Sequence, residues 1–309
     1  MADATATTIS SGAPSEADLG IAPSSKPRSM FRRAWEVFAE NRLALVGMGF
    51  VVFILLFCFV GPHIYVTDQT STQLINYLCT PSSKHLLGCD DLGYDELGRL
   101  MTGGQTSLEV GLAAAVVSVF FGTIYGAISG FAGGYVDALM MRVVDAGLSL
   151  PSIMVIIILS VIFHPTTEVI ILIISMFYWF GVARLVRGET LALRTREYVQ
   201  AVRVIGGRPL RSVLRHIVPN AIGTIIVQVT FAVADSILTL SVLGFLTLGV
   251  APPATDWGSM LSGGLTYIQG GDYWWLIYPP GILIVLTCIS FNFIGDALRD
   301  AFETRLQRR

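Results

Sequence analysis

Residues 110–136 read VGLAAAVVSVFFGTIYGAISGFAGGYV and contain no charged side chain. An α-helix needs about 20 apolar residues to cross a bilayer core of about 30 Å, so this stretch is long enough to span a membrane. It is expected to be helical because lipid offers no hydrogen-bond partner to an unpaired backbone group. Gly122, Gly126 and Gly130 recur at every fourth position, which predicts a face that approaches another helix closely.

Further apolar runs lie before and after this stretch, at residues 43–60, 146–167, 169–183, 217–234 and 273–295. Most of them have the length of a spanning helix, and the shortest, 169–183, needs a flanking charged residue to reach the interface. The mean hydropathy is +0.66 and only 14% of the 309 residues are charged, whereas a soluble domain has about 25%. The predicted fold class is an all-α polytopic membrane protein with six transmembrane helices.

Lysine and arginine are distributed unevenly between the two sides that six spans define. If the N-terminus is cytoplasmic, 18 of the 20 basic residues lie in cytoplasmic segments, and only Lys84 and Arg99 lie outside. The positive-inside rule therefore predicts that both termini face the cytoplasm. The same bias accounts for a basic loop between the fourth and fifth spans, so we expect no nucleic-acid binding. Four aromatic residues on the outer side suit the aromatic belt at the interface: Trp257, Tyr273, Trp274 and Trp275.

The spans divide the chain into four regions. Residues 1–27 are rich in Ala, Ser, Thr and Pro, which predicts a disordered cytoplasmic tail. The other predicted regions are an interfacial helix, first span and outer loop at 28–106, a transmembrane domain at 107–298 with a cytoplasmic loop at about 184–218, and a cytoplasmic tail at 299–309.

The outer loop contains two cysteines and a cluster of acidic residues. Cys79 and Cys89 are a candidate disulfide pair in an oxidising compartment, although their spacing alone leaves the pairing open. The acidic residues Asp90, Asp91, Asp95 and Glu96 follow near His85. Acidic residues and glycines in such a loop usually serve turns and helix caps, and no tight ligand spacing is present, so we expect no metal site.

The loop between the fourth and fifth spans includes REYVQAVRVIGGRPLRSVLRHIVPN, residues 196–220. Its pattern predicts a helix over 185–205 and a break at GGRP, because adjacent glycines and a proline destabilise a helix. A second helix is predicted from 210 until Pro219. Such a helix–break–helix exposes a short segment to a cytosolic partner.

The segment QAVRVIG at 200–206, followed after nine residues by HIVP at 216–219, resembles the EAA loop of permease subunits of binding-protein-dependent ABC importers. Gln200, Ala201 and Val202 take the places of Glu-Ala-Ala, and Gly206 takes that of the glycine. Gln200 and Val202 depart from the pattern at two places where peptide importers vary.

The chain is most similar to the second permease of dipeptide and oligopeptide importers, from about residue 29 to 304. Its motifs occur in the family's order: HLLGCDDLGYDELGRL at 85–100, GGYVDALMMRVVD at 133–145, REYVQAVRVIG at 196–206, RHIVPN at 215–220, FLTLGVAPPATDWGSML at 245–261 and FNFIGDALRDAF at 291–302. Tyr94 stands where the family often has arginine, and Leu240 where many members have an acidic residue.

The resemblance implies a type I, MetI-like transmembrane domain in the bacterial cytoplasmic membrane that forms half of a translocation pore. Its implied partners are a homologous second permease, two cytosolic ABC ATPase subunits and an external substrate-binding protein. ATP and Mg would be bound by the ATPases, and this chain would hold no cofactor. The residues implied to couple the chain to the ATPases are Glu197, Tyr198, Gln200, Ala201, Val202, Arg203, Gly206, Gly207, His216 and Pro219.

Several single residues have two interpretations. Gly206 either ends a helix or lets the coupling segment dock, and its place in the pattern favours docking. Glu197 either pairs with a nearby arginine or contacts the ATPase. Asp235 is a carboxylate inside an apolar stretch, so with Gln228 and Ser236 it is a candidate for the substrate pathway; the alternative is an interhelical hydrogen bond.

The sequence also distinguishes a transport subunit from an ATPase. A P-loop requires GxxxxGK[ST], but the only lysines, Lys26 and Lys84, precede Pro27 and His85, so this chain cannot be its own P-loop ATPase. We therefore predict a transport subunit and not an enzyme. An ion-coupled carrier is the alternative, although no clear internal repeat supports it. By resemblance the cargo is a peptide, while haem, nickel chelates and opines use similar permeases.

Overall fold

The computed structural model describes residues 30–163, 166–197, 200, 213–267 and 271–307. The predicted tail at 1–27 lies outside these ranges. The described residues form helices joined by turns and loops, with an isolated β-bridge between Cys89 and Asp95. In chain order the helices are α1 (Met30–Glu40), α2 (Arg42–Phe59), α3 (Gly61–Ile64), α4 (Glu96–Ala132), α5 (Gly134–Ser149), α6 (Ser152–Ile162), α7 (Thr167–Leu193), α8 (Ile222–Phe245), α9 (Trp257–Leu265) and α10 (Tyr278–Gln307).

Five of the described helices are long and apolar enough to cross a membrane: α2, α4, α7, α8 and α10. Helices α5 and α6 pass the same test as a bent pair, and counting that pair as one broken span gives the predicted total of six. Helix α4 has 37 residues, and its length of about 55 Å exceeds the thickness of the hydrocarbon core. The predicted all-α membrane fold is confirmed.

The third predicted span, at residues 146–167, is not one continuous helix. Helices α5 and α6 meet at an angle of 79°. Pro151 explains the break because its ring disfavours helical backbone at the residue before it, and Leu150 is extended, with φ −86° and ψ 137°. The 11 residues of α6 rise only about 16 Å, which is too short to cross the core alone. The apolar run marked this region correctly, but the proline set the helix boundaries.

Successive spans run in opposite directions, so the connections collect at two ends of the bundle. At one end Arg194, just after α7, donates to the carbonyl of Gly130 on α4, and Gly223 of α8 lies against Phe302 of α10. We call this the arginine end. Phe38 of α1 is also buried there against α10. The opposite, disulfide end carries the loop 65–95 and the segments 246–267 and 271–277. The chain segments that precede α2 and end α10 therefore share one end.

Helix α4 lies at the centre of the bundle and packs along α7, α8 and α2. A Cβ atom at Gly122 would lie 2.7 Å from Cβ of Val182, and one at Gly130 would lie 2.8 Å from Cβ of Thr190. Between them, a Cβ atom at Gly126 would overlap the carbonyl of Ala183. The predicted close-approach face is thus confirmed, and its partner is α7. Because both sets of residue numbers increase together, α4 and α7 run parallel.

Helix α4 begins earlier than the sequence predicts, so the outer loop ends at Asp95 and not near residue 106. The side chain of Asp95 caps the helix by accepting the N–H of Gly98 at 2.9 Å. Helix α9 then packs against this extension. The indole of Trp257 is fully buried and donates to the carbonyl of Leu100 at 3.0 Å, and Trp275 is also buried. The prediction of an aromatic belt was therefore wrong for Trp257 and Trp275, whereas Trp274 is 44% exposed.

Candidate functional site

The arginine end holds a bidentate ion pair between α7 and α5. Nε of Arg187 donates to Oδ1 of Asp137 and Nη2 donates to Oδ2, both at 2.6 Å. The hydroxyl of Ser129 on α4 also donates to Oδ1, at 2.6 Å. Two parallel charge-assisted hydrogen bonds fix orientation as well as distance. Three helices are therefore joined through one carboxylate.

Further contacts hold the last turns of α7, from which the predicted coupling loop continues. Arg194 donates to the carbonyl of Gly130 at 2.9 Å, beside Gly133, whose φ of +66° ends α4. On the side facing α8, the hydroxyl of Thr224 donates to Glu189 at 3.3 Å. The base of the loop is therefore tied to α4, α5 and α8, and a movement of the loop would act on all three.

A second ion pair at this end, between Arg184 and Asp145, is much more exposed. Its two side chains are 55% and 52% exposed, against 32% and 12% for Arg187 and Asp137. Exposed ion pairs contribute little because water and salt screen them. The pair between Arg187 and Asp137 is therefore the stronger connection between α7 and α5.

The structure describes only part of the predicted coupling loop. Helix α7 ends at Leu193 and a turn follows at 194–196, so the prediction of one helix over 185–205 was wrong there. Val213–Ile217 forms a π-helical turn that includes His216, and Pro219 is exposed in the turn before α8. Gln200 donates to the carbonyl of Thr195 at 3.1 Å, and Glu197 is also described. The remaining predicted residues lie outside the described ranges: Tyr198, Ala201, Val202, Arg203, Gly206 and Gly207.

Asp235 lies on an exposed face in the middle of α8. Gln228 is seven residues earlier and shares that face, because seven residues make nearly two helical turns. Within the described ranges, no residue donates a hydrogen bond to the Asp235 carboxylate. Nearby, the hydroxyl of Tyr178 on α7 lies 2.7 Å from the Thr239 hydroxyl and 3.4 Å from the Asp235 carbonyl. A polar strip thus runs along α8 beside α7.

Ser236 does not belong to this strip. It is fully buried, and its hydroxyl has no hydrogen-bond partner among the described residues. Successive residues of a helix point about 100° apart, so Ser236 turns towards the core while Asp235 faces out. The structure places Gln228 and Asp235 on the same face of α8, about 10 Å apart along the helix, and turns Ser236 away from that face.

The outer loop is cross-linked and joined to the start of α4. A disulfide connects Cys79 and Cys89. His85 Nδ1 lies 2.9 Å from Oδ2 of Asp95, which also accepts the hydroxyl of Tyr65 at 2.8 Å. Burial, followed by the bond to Asp95, raises the pKa of Tyr65. Cys79, His85 and Cys89 bring potential metal-ligand atoms within 4.8 Å of one another, but the disulfide uses both sulfurs.

A cleft of about 390 Å³ lies at the disulfide end, between the start of α4 and the segment around α9. Its wall includes Asp90, Asp91, Glu96 and Arg99 from one side and Tyr267 from the other. Arg99 Nε lies 3.5 Å from Asp90, and its guanidinium carbon lies 4.2 Å from the ring centroid of Tyr94. Burial raises the pKa of Asp90, opposed by the N–H of Tyr94 and the charge of Arg99. The sequence pattern assigned these acidic residues to turns and helix caps, and it did not predict that several of them line one cleft.

Two family profiles match the chain. The profile of the binding-protein-dependent transport system inner membrane component matches residues 122–308, and that of the N-terminal transmembrane domain of oligopeptide transport permease C matches residues 29–79.

Several curated proteins are similar over nearly the whole chain. The oligopeptide transport system permease protein OppC of Bacillus subtilis (strain 168) is 38% identical over 297 residues, covering 96% of this chain and 97% of the relative. OppC of Escherichia coli (strain K12) is 39% identical over 280 residues, 90% of this chain and 92% of the relative. The di/tripeptide transport system permease protein DppC of Pseudomonas aeruginosa (strain UCBPP-PA14) is 34% identical over 297 residues, 93% of this chain and 97% of the relative.

Proposed function

The chain belongs to the family of binding-protein-dependent transport system inner membrane components, and from that premise we propose that it forms half of the pore of an ATP-driven importer of di- or oligopeptides. The family places it among integral proteins of the inner membrane, in agreement with its apolar helices. Peptide cargo is supported by the curated relatives, which are named as oligopeptide, dipeptide or di/tripeptide permeases.

The half-pore proposal depends chiefly on the exposed face of α8. A carboxylate at the centre of a spanning helix costs about 2.5–3.5 kcal/mol on insertion scales, and such residues almost always face protein or water. Asp235 and Gln228 are therefore expected to face a homologous second permease across a water-filled path. This explains why the carboxylate has no hydrogen-bond partner among the described residues of this chain.

Energy would come from two cytosolic ATPase subunits, which bind ATP and Mg, because this chain has no P-loop sequence. The excess of arginine supports a cytoplasmic location for the arginine end and for both termini. In this arrangement the segment around Tyr198–Gly206 docks on an ATPase. When the ATPases close, the movement passes through the base of the loop at Arg187 and Arg194 to α4 and α5, and exchanges inward-open and outward-open states.

An external binding protein would deliver the cargo at the disulfide end. The cross-linked loop and α9 form the surface there, and the disulfide is consistent with an oxidising outer compartment. Selection among cargoes would lie largely in that external protein, which would explain why similar permeases serve different ligands.

Purification and reconstitution test this proposal. The tagged chain is expected to co-purify with a homologous permease and two ATPase chains. In proteoliposomes, the complex should accumulate a labelled tetrapeptide only with hydrolysable ATP and the binding protein. Accumulation driven by a proton gradient without ATP would support a secondary carrier instead. ATP-driven uptake of haem or a nickel chelate, but of no peptide, would overturn the cargo assignment.

A further inference from the structure

The cleft at the disulfide end is lined by more carboxyl groups than cationic groups. Asp90, Asp91 and Glu96 contribute three carboxyl groups, and Arg99 is the one cation among the residues that line it. Arg99 lies closest to Asp90, and a second of its nitrogens donates to the carbonyl of Pro253 at 3.4 Å. The guanidinium group of Arg99 therefore already has partners within the cleft wall.

Among the described residues, neither of the other two carboxyl groups forms a salt bridge. Asp91 accepts a hydrogen bond from the hydroxyl of Tyr267 at 3.3 Å, which leaves its charge unbalanced. Glu96 is only 2% exposed, and its Oε1 has no hydrogen-bond partner among the described residues. Burying a carboxyl oxygen without a partner is costly, so a buried group of this kind in a cleft wall is poised to meet a ligand.

The spacing of the carboxyl groups indicates whether they suit a metal ion or an organic cation. A metal ion needs several ligand atoms around one point, and within the described residues the only trio of His, Cys, Asp or Glu side chains that meets that condition is Cys79, His85 and Cys89. Asp90, Asp91 and Glu96 are therefore too dispersed to enclose one ion. An ammonium group carries three N–H donors and a guanidinium group five, so either can bind acceptors on one side of a cleft without being enclosed by them.

We propose that this cleft binds a cationic group of a polypeptide, an ammonium or guanidinium, with Glu96 and Asp91 as its acceptors. The cleft is large enough, because small-molecule sites occupy about 300–1,000 Å³. The group belongs either to the transported peptide or to the external binding protein; both sources rest on the proposed function.

The chemistry is tested with trilysine as the probe and the complete transporter in nanodiscs. Trilysine is expected to bind the wild-type complex, and Glu96→Gln is expected to weaken this binding about tenfold or more, since a hydrogen bond between charged groups contributes about 1.5–3 kcal/mol. The control is Glu168→Gln, on the exposed first turn of α7 and outside the cleft, which should leave binding unchanged. Equal effects of the two variants, or no effect of Glu96→Gln, would overturn the proposal.

A photo-crosslinking residue in place of Leu92, which lines the cleft and is 40% exposed, distinguishes the two sources. An adduct with a labelled peptide identifies the cargo as the source of the cationic group, and an adduct with the binding protein identifies that protein as the source. The absence of both adducts would contradict the proposal.

If Glu96→Gln fails to assemble, Asp91→Asn provides the same test. ATP-driven uptake of a neutral peptide is measured on the same samples, so that failure of the transporter and failure of this site are distinguished.

Discussion

Asp137 and Arg187 form a bidentate ion pair that joins α5 to α7, the helix from which the predicted coupling loop continues. Replacing Asp137 by Asn removes a charge-assisted bond and leaves Arg187 poorly paired, which should cost roughly 1.5–3 kcal/mol of stability. We expect the complex to assemble and hydrolyse ATP, but to transport less peptide per ATP. The ratio of uptake to hydrolysis in proteoliposomes measures this effect.

The chain offers a matched control and a rescue for this pair. Asp145→Asn breaks the exposed pair with Arg184 and should leave the ratio unchanged. The double exchange Asp137→Arg with Arg187→Asp should recover part of the coupling that either single change loses. If Asp145→Asn uncouples transport as strongly as Asp137→Asn, the ion pair has no special positioning role.

Gly206 in the predicted coupling loop gives a second prediction. A bulky side chain there, as in Gly206→Trp, should obstruct docking of the loop while leaving the spanning helices intact. We expect normal amounts of the chain in the membrane, with either weaker ATPase binding or hydrolysis without uptake. Normal substrate-stimulated hydrolysis together with normal transport would count against this role for Gly206.

Sequence reasoning found some of these residues more readily than others. Asp235 stands out because a carboxylate in an apolar run is conspicuous, and the structure exposes it. The unpartnered oxygen of Glu96 could not be predicted, since it depends on a cleft that residues 90–99 form with a segment more than 140 positions later. Pairing of Arg187 with Asp137 likewise depends on how α5 turns back against α7.

At the scale of helices, the contact between α4 and α7 requires glycine at the closest point. A methyl group at Gly126 would overlap the backbone of Ala183, whereas nothing described lies within 4 Å of a Cβ atom at Gly188 on α7. Gly126→Ala should therefore lower the thermal stability of the purified complex. Gly188→Ala should not lower it, because alanine is favoured over glycine within a helix by about 1 kcal/mol. Equal stability of the two variants would contradict the packing described here.

The exposed polar face of α8 predicts a difference in water access. In a background with Cys58 and Cys288 replaced by alanine, Asp235→Cys should react rapidly with a membrane-impermeant maleimide. Phe53→Cys, on an exposed face of α2 that is expected to meet lipid, should react slowly. A reaction at position 235 as slow as that at position 53 would place this face against lipid and remove the main support for a half-pore.

Helix boundaries show where sequence patterns lose accuracy. The fourfold glycine spacing correctly predicted the packing face of α4 because that feature is local and periodic. Hydropathy missed the break before Pro151, since proline there changes the backbone without changing the apolar run. It also placed the end of the outer loop late, because the first turns of α4 are polar and are held by contacts with Trp257.

For the whole molecule, the proposed function makes this chain one subunit of a larger complex. Its five long apolar helices and one bent pair bring the basic connections to one end and the disulfide-linked loop to the other. Six alternating spans and the distribution of arginine were sufficient to predict that arrangement. The folded chain alone does not identify the proposed partner subunits, which are inferred from the family and from surfaces that remain exposed.

Site-specific photo-crosslinking in intact membranes tests most directly whether the loop at the arginine end contacts an ATPase. A photo-crosslinking residue in place of Tyr198 should give an adduct with the ATPase subunit, and one in place of Lys84 in the outer loop should give none. An ATPase adduct from position 84, or its absence from position 198 in a transport-active complex, would contradict docking of the loop on the ATPase.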